Sequence, residues 1–113
     1  MKLVLTLSLG AVLAYMLYGR FSGKTSSSDA RALVANGAAL LDVRSRGEFA
    51  GGHLDGAVNI PVDQIANRSG EIGPKERPVV LYCASGMRSA SAASTLRSLG
   101  FTSVSDVGPM SSY

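Results

Sequence analysis

Val79-Val80-Leu81-Tyr82-Cys83-Ala84-Ser85-Gly86-Met87-Arg88 is the stretch that decides the fold. The apolar residues after Pro78 read as a buried strand, and the alanine-rich pattern that follows Arg88 reads as a helix. A cysteine at such a strand-loop-helix junction lies in an anion pocket. Backbone N–H groups of a short loop converge there, the helix adds the positive end of its dipole, and Arg88 adds a fixed charge. These features lower a thiol's pKa, and the thiolate is the nucleophile. A lone cysteine can also be a small buried hydrophobe. Its place at a strand end, ahead of Gly86 and Arg88, favours the reactive reading.

Working outward, Ser28 and Asp29 form an N-cap signal for a short helix with Ala30, Leu33 and Val34 on one face and Gly37 as its stop. Ala38 to Val43 reads as a buried strand closed by a charged loop. Ala57 to Ile60 gives a second short strand ended by Pro61, followed by a helical turn or two over 62–67 and a polar connection from Gly70 to Pro78. Beyond the cysteine, Ser89 to Leu99 carries Ala92, Ala93, Leu96 and Leu99 at helical spacing, closed by Gly100. Phe101 to Val107 is the last strand. Alternating helices and short apolar strands predict an α/β fold: a central parallel sheet flanked by helices. Ligands of such sheets bind beyond the carboxyl ends of the strands, where Cys83 and the Asp42-Val43-Arg44 turn both fall.

The chain has 113 residues and a net charge of +3. Lys2 and Arg20 flank an apolar N-terminal stretch, and from Lys24 onward nine basic residues face eight acidic ones. No basic patch survives that subtraction, which argues against nucleic acid as a partner. With one cysteine there is no internal disulfide and no CxxC redox or zinc site. No metal is expected. The single histidine, His53, has no second metal-type neighbour in sequence and reads as structural.

Leu3 to Tyr18 is an uncharged run between Lys2 and Arg20, with Tyr15 and Tyr18 at one end. It reads as one N-terminal transmembrane helix, with a cleaved signal peptide as the rival. The expected organisation is a membrane anchor over 1–21, a flexible linker over 22–28 and a folded domain over 29–113. Arg20, Lys24 and Arg31 on the domain side lean the domain toward the cytoplasm of a single-pass protein, in the inner membrane if the chain is bacterial; a periplasmic domain is the alternative.

Three segments, LLDVRSRGEFAGGHLDGAVNIP (Leu40–Pro61), VVLYCASGMRS (Val79–Ser89) and LRSLGFTSVSDVGPM (Leu96–Met110), together resemble a single-domain rhodanese. The resemblance covers nearly all of the chain after the linker and implies a small sulfurtransferase fold with an active-site loop starting at a catalytic Cys83. It departs from the family pattern at Pro109, where a second glycine is usual, and at Tyr113, where tryptophan is common. The spacing Cys83-x4-Arg88 is one residue shorter than the C-x5-R loop of cysteine-dependent phosphatases, which suits a terminal sulfur better than a tetrahedral phosphate. Phosphatase or arsenate reductase activity is therefore the less favoured reading.

The implied reaction is a two-step sulfur transfer without metal or organic cofactor. The Cys83 thiolate takes the outer sulfur of a sulfane donor such as thiosulfate, or the carbon-bound sulfur of 3-mercaptopyruvate with pyruvate leaving, and a thiol, cyanide or protein acceptor removes it from the persulfide. The N–H groups of Ala84, Ser85, Gly86, Met87 and Arg88 are expected to bind the anionic sulfur, with Arg88 orienting the donor's oxyanion. Asp42, Arg44 and Glu48 are expected to form an ion-pair set that supports the loop. A persulfide carrier or sensor with little turnover needs the same thiolate and loop.

Overall fold

The computed structural model describes residues 23–113. Four strands form one sheet in the order β2-β1-β3-β4: β1 (Ala39–Asp42), β2 (Val58–Asn59), β3 (Val79–Cys83) and β4 (Val104–Pro109). Every neighbouring pair is parallel, so each connection must be a crossover. Helix α1 (Ser27–Ala35) precedes β1, and α2 (Arg46–Ala50) links β1 to β2. A 3-10 turn (Val62–Gln64), α3 (Ile65–Arg68) and a second 3-10 turn (Ser69–Glu71) lead toward β3, and α4 (Met87–Ser98) joins β3 to β4. A last 3-10 turn spans Met110–Ser112. The expected central parallel sheet flanked by helices is the observed one.

Strand alternation splits the core into two layers. Ala39, Leu41, Val79, Leu81 and Cys83 face one side, where Ile65, Ala92, Ala93, Leu96 and Phe101 cover them. Leu40, Val80 and Tyr82 face the other, packing with Ala30, Val107 and the partly buried Leu33 and Val34. All residues of β1 and β3 are buried, because parallel strands covered on both faces need continuous apolar runs. Ala92 and Ala93 let α4 approach the sheet closely. The period of two therefore assigns Cys83 to the α4 side of the sheet. Leu99, expected on the apolar face, is exposed at the helix C-cap.

Several boundaries move. The α1 cap is Ser26, not Ser28: its side chain accepts the Asp29 N–H at 3.2 Å. The hydroxyl two positions earlier wins because it stands three residues before a free helical N–H, an arrangement worth about 1 kcal/mol. The expected linker over 22–28 is correspondingly shorter. Its Thr25 N–H donates to the Asp106 carbonyl at 2.7 Å, and helix begins at Ser27. The charged loop after β1 is α2, fixed by a reciprocal capping box between Ser45 and Glu48. Helix α4 starts at Met87, two residues earlier than expected, with Gly86 as its N-cap at φ 104.

Pro109 has φ −63 and pairs with Cys83 on the edge strand, so the ring imposes the angle the backbone already holds. Tyr113 packs against the second core layer, with the Arg31 guanidinium 4.3 Å from its ring centre. The expected membrane helix over Leu3–Tyr18 lies outside the described residues. Among the described residues no helix is long and apolar enough to cross a membrane.

Candidate active site

Strand β3 ends at Cys83, and the chain turns through Ala84, Ser85 and Gly86 directly into α4. So sharp a turn requires positive φ at Gly86. A Cβ there would meet Lys24 Nζ and Pro109 Cδ, each at 3.6 Å. The turn folds the loop back over its own cysteine: the Gly86 N–H donates to Cys83 Sγ at 2.9 Å. Ser89, in the first turn of α4, brings Oγ to 3.4 Å from Sγ, and its hydroxyl donates to the Gly86 carbonyl at 3.2 Å. Cys83 and Ser89 are both fully buried.

Burial pushes the Cys83 thiol up, but the adjacent Ser89 hydroxyl, the Gly86 N–H and the neighbouring Ser89 and Ser85 N–H groups favour the thiolate and outweigh it. The net pKa lies below the ordinary thiol value. An N–H and a hydroxyl thus lie against the sulfur at the start of α4. Of the expected N–H donors, that of Gly86 bonds the sulfur and that of Ser85 lies near enough to favour the thiolate, whereas the side chains of Ala84 and Met87 are exposed, Met87 at 81%.

Arg88, expected to orient the donor's oxyanion, has a carboxylate partner of its own. Its guanidinium makes a two-armed pair with Glu48, Nη1 to Oε1 at 2.6 Å and Nη2 to Oε2 at 3.0 Å. Arg88 holds the Glu48 carboxyl down at about 2, helped by bonds from Ser45. The expected set of Asp42, Arg44 and Glu48 therefore divides into two pairs. Asp42 takes Arg44 alone, with Nη2 to Oδ2 at 2.6 Å and Nε within 3.1 Å of both oxygens. Arg44 also donates to the Gly52 carbonyl at 2.7 Å. Asn59 Nδ2 closes the turn by donating to the Asp42 and Arg44 carbonyls at 2.9 and 3.0 Å. The separation has a geometric cause: α2 carries Glu48 out to the α4 rim, while Asp42 lies inside the sheet's carboxyl end.

An open cavity of about 430 Å³ lies beside Arg88, lined by Val43, Ser45, Arg46, Gly47, Pro61, Val62, Asp63 and Gln64. His53 stacks on Phe49 with ring centres 3.7 Å apart, and Nδ1 lies 2.9 Å from the Phe49 carbonyl, which fits the structural reading. Tyr82 has its hydroxyl pushed up to about 12, burial being the main cause, and accepts the Leu54 N–H at 3.1 Å.

Sequence reasoning missed Ser89 and Lys24. Ser89 carried a readable signal, a hydroxyl three residues after a loop glycine in a helix's first turn. Lys24 carried none, because its partner Asp106 lies 82 positions away.

The rhodanese-like domain family model matches residues 26–108. An uncharacterised Bacillus subtilis protein, YqhL, is 49% identical over 67 residues, 59% of this chain and 52% of that one. The Bacillus subtilis putative sulfur carrier protein YrkF is 36% identical over 70 residues, 62% of this chain and 37% of that one. The match thus spans about half or less of these two bacterial relatives. Human thiosulfate:glutathione sulfurtransferase is 37% identical over 92 residues, 68% of this chain and 79% of that protein. The solved structure of the human single-domain sulfurtransferase TSTD1 superposes with a TM-score of 0.68 at 31% identity, covering 80% of this chain and 91% of that one.

Proposed function

This chain belongs to the rhodanese-like domain family, and from that premise we propose that it is a sulfurtransferase working through a persulfide on Cys83. The observation that carries this reading is the cysteine loop itself. A buried sulfur receives an N–H at 2.9 Å and lies beside a hydroxyl at 3.4 Å, with a lowered pKa. The thiolate attacks the outer sulfur of a sulfane donor of the thiosulfate class; the new S–S bond forms as the sulfur–sulfur bond of the donor breaks, and sulfite leaves with the bonding pair. A thiolate or cyanide acceptor then attacks the terminal sulfur, and Cys83 regains its electron pair. The loop N–H groups hold negative charge on sulfur in both steps. Arg88 and Arg46, beside the open cavity, supply positive charge for an anionic donor or acceptor.

Purified protein should form thiocyanate from thiosulfate and cyanide with saturation kinetics, and Cys83→Ser should abolish it. Wild-type protein inert toward both thiosulfate and 3-mercaptopyruvate, yet able to cleave p-nitrophenyl phosphate through Cys83, would contradict the proposal.

A second reading, a persulfide carrier with little turnover, draws on the likeness to the putative sulfur carrier and on Met87, an exposed apolar side chain on the loop's rim. A persulfide discharged only to a protein acceptor distinguishes it. The same proposal tethers the domain to a membrane through Leu3–Tyr18, facing the cytoplasm. A compartment-specific reporter fused after Tyr113 tests this, and activity on the periplasmic side would reverse the orientation.

A further inference from the structure

Asp106 is a buried carboxylate that the sulfur chemistry leaves unused. It lies where β4 departs from regular pairing: Leu81 is opposite Asp106 but Tyr82 is opposite Gly108, so Val107 is one residue extra. The bulge lets Asp106 Oδ1 accept the Gly108 N–H at 2.8 Å. Oδ2 faces Lys24, whose Nζ lies 2.8 Å away. The same Nζ stands 3.4 Å from the Gly86 carbonyl. The lysine stem crosses Gly108 so closely that a Cβ there would lie 3.3 Å from Lys24 Cδ. A residue just ahead of α1 thus reaches over two positive-φ glycines to the back of the cysteine loop.

The Gly86 carbonyl is also where the Ser89 hydroxyl spends its proton, at 3.2 Å, while Ser89 Oγ lies 3.4 Å from Sγ. One hydroxyl proton cannot serve both acceptors. When Cys83 loses its proton to water, the Ser89 hydroxyl must turn from the carbonyl to the sulfur to stabilise the thiolate. The carbonyl then keeps only its helical partner, Ala90 N–H at 3.2 Å, and the lysine. We propose that Lys24, anchored by Asp106, is a positioning residue for Cys83: it holds the Gly86 carbonyl when Ser89 turns to the sulfur, and so ties the segment preceding the domain to the reactivity of the thiolate. The inference rests on the sulfurtransferase reading for its purpose but not for its test.

The test is the pH profile of Cys83 alkylation by iodoacetamide, which reads thiolate formation whether or not sulfur is transferred. Lys24→Met should move the profile to higher pH and slow alkylation at pH 7 by about three- to tenfold, the scale of one charge-assisted hydrogen bond. Lys24→Arg should restore most of the rate. In a Ser89→Ala background, Lys24→Met should add little, because no hydroxyl remains to turn. An unchanged profile in Lys24→Met would overturn the proposal, as would an equal shift with and without Ser89. If the profiles shift as expected while the wild type transfers no sulfur, the positioning role stands and the assigned reaction falls.

Discussion

Two arginine–carboxylate pairs stand at the carboxyl end of the sheet, alike in chemistry and opposite in setting. In the Asp42–Arg44 pair both side chains are almost wholly buried, at 0% and 8% exposure; in the Glu48–Arg88 pair both are more than a third exposed. In the buried pair Nε and Nη2 of Arg44 both meet the carboxylate, Nη2 also donates to the Gly52 carbonyl, and Asn59 closes the backbone turn between the two residues. It fixes the chain where β1 ends. The exposed pair lies on the rim of the open cavity, where water and salt weaken it and an incoming anion competes for the same guanidinium. The lesson is that a bidentate pair is a structural element in one place and an exchangeable one a few ångströms of burial away.

The sharpest way to break that comparison is Asp42→Ala. It leaves the Arg44 charge buried without its partner and should cost about 3–5 kcal/mol in denaturant unfolding. A loss too small to resolve would mean that the pair supports nothing. Glu48→Gln should lower the unfolding midpoint far less than Asp42→Ala, while its release of Arg88 should change the KM for thiosulfate more than kcat. Equal destabilisation by the two variants would erase the distinction.

The sulfur pocket extends the contrast to a buried group whose support comes from neutral donors. Ser89→Ala removes the hydroxyl beside the sulfur, which favours the thiolate, and should slow Cys83 alkylation at pH 7 by about tenfold, equivalent to about one unit of pKa. An unchanged rate would shift the credit to the backbone N–H groups alone.

The smallest effect expected is on acid stability. The folded Glu48 carboxyl titrates at about 2, against an ordinary value of 4.5. Since the folded pKa is the lower, the pair's contribution is present above pH 4.5 and lost as pH falls toward 2. Glu48→Gln and wild type should therefore converge in stability across that window. A gap that persists at pH 2 would place the effect elsewhere.

Much of this was legible in the chain. Apolar runs at Ala38–Val43 and Val79–Cys83 announce buried strands of a covered parallel sheet, and the short loop from a strand-end cysteine into a helix announces N–H groups converging near the sulfur. The family-like segments around Asp42, Cys83 and Gly108 reinforced both. The rest depended on contacts that no local window contains. Glu48 and Arg88 are 40 positions apart, so bidentate geometry alone could not say which arginine each carboxylate would take. Lys24 sits in a serine-rich stretch that reads as linker, and only the β4 bulge turns Asp106 toward it. The Ser45-x-x-Glu48 box was readable, yet so short a helix gives no apolar periodicity.

The central claim is that Cys83 carries the transferred sulfur, and intact mass spectrometry of the full chain after brief exposure to thiosulfate tests it most directly. The expected result is one adduct of about 32 Da, a single sulfur atom, absent in Cys83→Ser and lost on adding cyanide. A protein whose mass stays unchanged with both thiosulfate and 3-mercaptopyruvate, while Cys83 still alkylates readily, would contradict the account.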